Sequence, residues 1–318
     1  MCVSLHPARF TDTIVGAFED ASGRRYLAYQ NTAANLAGTA SAAAPSRPRR
    51  RSATNGRSGN WSIEEAVTPQ ASGSGNAMIL PIPDDVDNIE IIDTTSCPNF
   101  LKDIRSALTP RKRGGVRRGG TLGKGLDSRV RIVEFDVYTI VIAADARAIG
   151  KALKSKAIPD DRRPALNQKM IDTYARWYPG WAISIWCFNN TDARRAKPAL
   201  IAYDPTKQED PDIFFVPTLD AHDGNVPDLA AEVDVDHTIF VATRDMAEGY
   251  APSVYYSDSD MAAGIRQLLP ARVMGKIVSG PYRNGDVIFH RKHLKQGLLE
   301  GLRALPPGAP AADTKVYV

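Results

Sequence analysis

Cysteine is scarce in this chain. Cys2, Cys97 and Cys187 are spread over 318 positions, an odd number at wide spacing. No two stand in a C-x-x-C pair, which excludes a disulfide framework and a cysteine-based zinc site. Long apolar runs are missing too. The longest, "YTIVIAA" and "WAISIW", are the size of strands and fall well short of the roughly 20 apolar residues that span a bilayer. No charged start followed by an apolar block opens the chain, so no secretory signal is expected. The expectation is therefore a cytoplasmic protein without a membrane partner. The glycines of "GGTLGKG" lack the phosphate-loop spacing, and no Ser or Thr follows Lys124.

What remains is an ordinary globular composition, 43% hydrophobic and 24% charged, with an uneven distribution of charge. Residues 41–60 carry Arg47, Arg49, Arg50, Arg51 and Arg57 and no acid; residues 111–124 carry Arg111, Lys112, Arg113, Arg117, Arg118 and Lys124 and no acid. Those eleven cations exceed the total of +4, so the rest of the chain stands at −7. The body is mildly acidic and two inserts hold the positive charge. The first insert, residues 38–75, is rich in Ala, Ser, Pro, Gly and Arg and cannot bury enough apolar surface to offset its ordering entropy. The second, 109–126, combines glycine with like charge. Both are expected to be flexible, and the Pro-rich tail, 306–318, is expected to fray.

Between the inserts the pattern alternates strands in runs with single helices. "DTIVGAFED" and "RRYLAYQNT" read as a hairpin across "ASG". "NAMILPIP", "NIEIIDT", "RIVEFDVYTIVIA", "WAISIWCFNN", "KPALIAYDP", "DIFFVPTLDA" and "DHTIFVATR" read as strands. "KIVSGPY" and "DVIFHRK" read as a second hairpin through the Asn284–Gly285 turn signal. Helices are expected in "SCPNFLKDIRSAL", with Ser96 as N-cap, "DARAIGKALKSK", "RPALNQKMIDTYARWY", "DMAAGIRQLLPARV" and "LKQGLLEGLRAL". This is an α+β pattern of mixed, mainly antiparallel sheets with a few packed helices. One compact domain of two halves, about 1–108 and 127–305, is expected.

The succession "LAYQNTAANL", "NAMILPIP", "FDVYTIVIAADARAIGKAL", "DIFFVPTLDAHDG" and "VDVDHTIFVA" resembles a family of uncharacterised bacterial proteins. There a strand ending in a Tyr-Gln pair precedes a Leu-Pro-x-Pro segment, and a "Y-T-V" strand leads into a helix. The likeness spans most of the chain outside the inserts. It implies the same α+β fold and no assigned reaction. Members of that family are often exported, and this chain differs by showing no leader.

Three constellations could carry function. Removal of Met1 would expose Cys2 as an N-terminal nucleophile whose α-amine, with a pKa of roughly 8, serves as its own base. Arg9 would then bind a substrate carboxylate, and Asn31 or Asn35 would donate to an oxyanion. That reading makes an amide hydrolase; its alternative is Cys2 as a small apolar residue in an edge strand. The stretch "LDAHDGNVPDLAAEVDVDH" brings two clusters, Asp220/His222/Asp223 and Asp234/Asp236/His237, to the end of one strand and the start of the next, with His222, Asp223, Asp236 and His237 as a ligand set for a divalent metal in a metal-assisted hydrolase. In a regular strand, however, Asp234 and Asp236 share one face and His237 takes the other, and carboxylates here also suit turns. Finally, "RKRGGVRRGGTLGKG", with Arg111, Lys112, Arg113, Arg117, Arg118 and Lys124, suits contact with an anionic partner or nucleic acid through phosphates. It contains no aromatic residue on which a base could stack.

Three further features have plain structural readings beside functional ones. Cys97 stands at a helix start, where a thiol is activated or simply buried. Trp177, Trp181 and Trp186 form an aromatic corner that packs or grips a flat ligand. His290 and His293 share one face only if they are helical. Whether the chain is an enzyme is open at this point, as are its substrate and its oligomeric state. No complete catalytic set stands out, so a non-catalytic binding or interaction domain whose basic segments meet an anionic partner is the leading expectation.

Overall fold

The structure is a computed structural model that describes residues 2–35, 75–109, 130–189, 196–208, 210–246 and 249–309. Most of the first insert and tail, and all six cations of the second insert, lie outside these residues.

The first strands are β1 (Cys2–Val3), β2 (Ala8–Glu19), β3 (Arg25–Asn35), β4 (Gly75–Ile82) and β5 (Glu90–Ile91). Helix α1 (Phe100–Leu108) follows, then β6 (Val130–Phe135), β7 (Tyr138–Ala143), α2 (Ala146–Ala152) and α3 (Gln168–Trp177). The second part of the chain supplies β8 (Ala182–Asn189), β9 (Ala199–Tyr203), β10 (Ile213–Val216), β11 (Asp220–Ala221), β12 (Glu232–Ala242), α4 (Ala263–Leu268), β13 (Met274–Arg283), β14 (Asp286–His290), α5 (Arg291–Lys295) and β15 (Gly301–Ala304).

The fold is α+β. A six-stranded sheet has the order β13-β12-β2-β3-β9-β5, and a four-stranded sheet the order β4-β8-β7-β6. Within them only β12 and β2 run parallel. The side-chain period of two sorts each sheet into two faces. Met78, Leu80, Ile140, Ile142, Trp186 and Phe188 of the smaller sheet pack against Val15, Ala17, Leu27, Ile201, Ile239 and Val241 of the larger. Ile79, Val141, Ile183 and Ile185 turn the other way, toward Ile149 of α2 and Met170, Ile171 and Tyr174 of α3. Ile14, Phe18, Ala28, Leu200 and Phe240 form the outer face of the larger sheet under Phe100, Leu101 and Ile104 of α1. The layers therefore run helices, sheet, sheet, helix. Strands β4, β7 and β9 are buried along their full length, and β8 up to Asn189 at its end, which explains their near-continuous apolar sequences.

The outcome differs from the sequence pattern in several places. The halves on either side of the second insert do not separate: β2 and β3 share a sheet with β9, β12 and β13, and β4 pairs with β8. "RIVEFDVYTIVIA" is two antiparallel strands, because Asp136 takes φ 53 and turns the chain between β6 and β7. The Asn284–Gly285 dipeptide does not close a hairpin. Strand β13 pairs with β12, while β14 joins β10 and β15 in a three-stranded sheet. Asn284 is buried, and its amide donates to the backbone carbonyls of Asp220 and Asp228. "LKQGLLEGLRAL" is helical only to Lys295; after Gly297 (φ 74) the segment Gly301–Ala304 becomes an edge strand. Asn99, not Ser96, precedes α1, and the Ser96 hydroxyl accepts from the Ala262 N–H instead. The start of the tail is anchored: Pro306 is buried and the Gly308 N–H donates to Trp177 O at 2.7 Å. Among the described residues no helix is long and apolar enough to cross a membrane.

Candidate functional site

Strand β2 carries an irregularity that shapes an open cleft. Thr11 pairs with Thr32 and Ile14 with Gln30, so two residues of β2, Asp12 and Thr13, stand opposite Asn31 alone. This is a β-bulge with its first residue in the left-handed region: Asp12 has φ 55. The extra residue switches the parity of the strand. Ala8 and Phe10 before it, and Val15 and Ala17 after it, all face the same core, which an unbroken alternation could not achieve.

The cleft has a volume of about 520 Å³ and lies between this bulge, β3 and α1. Its polar lining includes Asp12, Gln30, Asn31, Lys102, Arg105 and Lys197. Three cations thus face one acid. Asp12 Oδ1 lies 2.9 Å from Arg105 Nη1, and its backbone N–H donates to Asp236 Oδ2 at 3.3 Å. Lys197 Nζ is 3.4 Å from Asp136. Gln30 donates to Ala196 O. Ala196 is buried in the cleft wall. Among the described residues no aromatic side chain lines the cleft.

A second polar centre forms where β1 and β11 pair in parallel, with Cys2 opposite Asp220. Asp220 is buried, with His222 Nε2 at 2.5 Å from one oxygen and His237 Nε2 at 3.3 Å from the other. Burial pushes this carboxyl up, but the hydrogen bonds from His222 and His237 outweigh it and hold the pKa down at about 2. Asn284 fixes the Asp220 backbone from both sides, through its N–H and its carbonyl.

The candidate metal ligands are arranged otherwise than the sequence suggests. His222 and His237 do converge, but on Asp220, between them. Asp223 caps a turn through the Asn225 backbone N–H. Asp236 is exposed while His237 is buried, as strand alternation requires, so these neighbours face opposite ways. Among the described residues no group of three or more His, Cys, Asp or Glu side chains could hold a metal ion.

Asn31 is buried, and its Nδ2 donates to Tyr29 Oη at 2.6 Å and touches Met78 Sδ at 3.2 Å. Arg9 is exposed at the outer end of β2, where it pairs with Ala34, and Asn35 pairs with Ala8. Cys97 is fully buried, and burial with Asp258 and Asp93 nearby pushes its thiol up to about 12, the reverse of activation. Cys187 is likewise buried and pushed up to about 12. Trp177, Trp181 and Trp186 all belong to the core. His290 precedes α5 and His293 lies within it. Their rings are 5.9 Å apart, one near Asp210 and the other near Glu300. Arg111, Lys112, Arg113, Arg117, Arg118 and Lys124 lie outside the described residues.

Sequence reasoning missed the cleft. Its cations come from one helix and one loop, separated by about ninety residues, and no local motif joins them. The only sequence-level sign was a polar pair, Gln30-Asn31, closing an otherwise apolar strand.

No family model matches this chain, and no curated protein matches it. Among solved structures, it is similar at low level to a chain of the caspase-8/P35 complex, with TM-score 0.38, 10% identity and 89% of each chain covered. A mutated baculovirus P35 after caspase cleavage gives TM-score 0.37 at 11% identity, covering 88% of this chain and 91% of the other. Baculovirus P35 itself gives TM-score 0.37 at 11% identity, with 92% of each covered. Similarity of this degree carries no argument about fold or activity.

Proposed function

We propose that the protein is a non-catalytic binding module for a chain of phosphates, seated in the cleft between α1 and the β2–β3 bulge. The observation that carries this reading is the charge of the cleft. Among the described residues that line it, Lys102, Arg105 and Lys197 outnumber the acid Asp12, with Lys197 also paired to Asp136 behind the wall, on a body whose net charge outside the inserts is negative. Cations gathered in a concavity focus their field on an incoming anion. Gln30 and Asn31 add amide groups to the same wall.

Arg111, Lys112 and Arg113 follow Leu108 by three to five residues in the sequence, and they supply further cations for an anionic partner. The absence of an aromatic side chain from both the described lining of the cleft and the "RKRGG" stretch favours phosphate contact over base stacking. Against the hydrolase alternatives weigh the occupied donors of Asn31, the exposed outer position of Arg9, and the engagement of both His222 and His237 by Asp220.

The test is a salt titration of binding to inorganic polyphosphate and, in parallel, to an oligouridylate. Each phosphate contact should contribute about 0.7 to the slope of log K against log salt for a single strand. Replacing Lys102 and Lys197 by glutamate should abolish binding. Replacing the six cations of 111–124 by serine should flatten the slope. Equal response to both probes identifies the phosphate chain as the ligand; response to RNA alone identifies a nucleic acid. No binding at low salt, or binding untouched by either set of substitutions, overturns the proposal.

A further inference from the structure

Asp12 is the odd member of the cleft. It is the one acid in the lining, it holds a backbone conformation that non-glycine residues rarely adopt, and its carboxylate sits on Arg105. A β-bulge re-aims a side chain at the place where it occurs, and this bulge delivers Asp12 to the guanidinium. The backbone N–H of Asp12 is held by Asp236, so the bulge is fixed from the neighbouring strand β12 as well. A strained residue maintained at a site calls for a functional account.

We infer that Asp12 is an intramolecular competitor: its carboxylate occupies on Arg105 the position that a phosphate of the bound partner takes, so that binding proceeds by exchange of one anion for the other. The inference rests on the binding reading given above and adds its regulation. Arginine presents a planar fork matched to carboxylate and phosphate alike, so the two anions contend for the same donors. Both members of the pair retain contact with water, with side-chain exposures of 32% for Arg105 and 62% for Asp12. An ion pair of that exposure is weak and is readily exchanged. The arrangement raises the threshold for binding without closing the cleft.

The experiment uses the full chain with inorganic polyphosphate as probe, measured by calorimetry at fixed salt, with thermal unfolding recorded for every variant. Asp12→Asn should tighten binding by about two- to five-fold, the range an exposed ion pair supplies. Asparagine tolerates the left-handed conformation, so the bulge is kept. Asp12→Gly removes the same carboxylate and suits φ 55 without a side chain, and should tighten binding to the same degree. Arg105→Gln should weaken binding, and in the Arg105→Gln background Asp12→Asn should bring no gain, because the competition has lost its object. Folded Asp12→Asn and Asp12→Gly proteins that bind as the parent does, or more weakly, overturn the inference while the parent's own binding leaves the underlying reading standing. A tightening that persists without Arg105 overturns it also, by reducing the effect to net charge. If neither the parent nor either Asp12 variant binds the probe, both readings fall together.

Discussion

Removing a single negative charge from the core should stabilise this protein, and only above a certain pH. Asp286 opens β14 and is completely buried. One of its oxygens accepts the backbone N–H groups of Thr218 and Leu219 at 3.0 and 3.2 Å, and the other accepts from Tyr178 Oη at 2.6 Å. Burial is the largest influence and pushes the carboxyl up, the three hydrogen bonds pull it down, and the balance is a pKa of about 6 against 3.8 for the free group. A carboxyl that binds its proton more tightly when folded supports folding fully below about pH 4. That support is lost as the pH rises through about 6. The difference of roughly two units corresponds to about 3 kcal/mol at pH 7.5, a substantial part of the 5–15 kcal/mol typical of a folded domain. Asp286→Asn keeps an acceptor for the two N–H groups and offers an amide to Tyr178, while removing the charge. Tyr178 must then reorient its hydroxyl, at a cost of about 1 kcal/mol. The net expectation is a gain of about 1–3 kcal/mol at pH 7.5 and none at pH 4. Urea unfolding followed by tryptophan fluorescence, on parent and variant at unit steps from pH 4 to pH 8, measures the difference directly, since every other titrating group cancels. A difference that is the same at both ends of the range refutes the reasoning, as does a variant less stable than its parent at pH 7.5.

The Asp220 centre should behave in the opposite sense. Its carboxyl is held down at about 2, so the stability it contributes is complete above about pH 4 and is lost as the pH falls through about 2. Asp220→Asn should cost about 2 kcal/mol at neutral pH and flatten the acid limb of the unfolding curve; an unchanged acid limb would contradict the assignment. In the middle of β2, a Cβ on Gly16 would come 2.4 Å from both the ring and the backbone carbonyl of Phe240. Gly16→Ala should therefore lose about 1–3 kcal/mol in urea unfolding through overpacking. A neutral result would mean that β2 and β12 separate more easily than their pairing implies. The anion-binding predictions, with the salt slope and the Asp12 exchange as their readouts, stand with the proposals above.

The fold class was legible because period-two alternation survives in strands with two different environments. In β12, Asp234 and Asp236 are exposed while Val235 and His237 are buried, as the residue types announce. Strand limits were legible where a run is buried on both faces and stands alone, as in β8, whereas the break between β6 and β7 rests on the backbone turn at Asp136 (φ 53) inside a continuous strand-like run. What was not legible is which strands pair. The "RNG" turn signal between β13 and β14 is strong as a local feature, yet the two strands enter different sheets because Asn284 is taken up by the Asp220 and Asp228 carbonyls. A buried tertiary partner overrides a local turn preference there. The same holds at α1, where Asp258 accepts from both the backbone and the side chain of Asn99, so the helix starts beyond the serine that local rules select. In "LKQGLLEGLRAL" the spacing suits a helix, but Gly297 at φ 74 ends it and β14 offers an open edge to the rest.

Candidate sites were harder to read for a related physical reason. Sequence proximity drew His222, Asp223, Asp236 and His237 together. Of the acids in that stretch the structure brings Asp220 to the two histidines and leaves Asp223 in a turn and Asp236 exposed, because Asp220 lies on the buried face where the imidazoles meet. An unpaired charge at that depth would be costly, so the node is explained by its own neutralisation and needs no ligand. The cleft has the reverse character. Its cations stay at the surface, where solvation costs little, and they are gathered in number against a single strained acid. Burial beside charged partners marks a group as part of the scaffold, whereas cations held in a concavity at the surface, Arg105 against Asp12 and Lys197 against Asp136, keep contact with water and stay open to an incoming anion. That asymmetry is why binding is assigned to the bulge and α1 and not to the histidines.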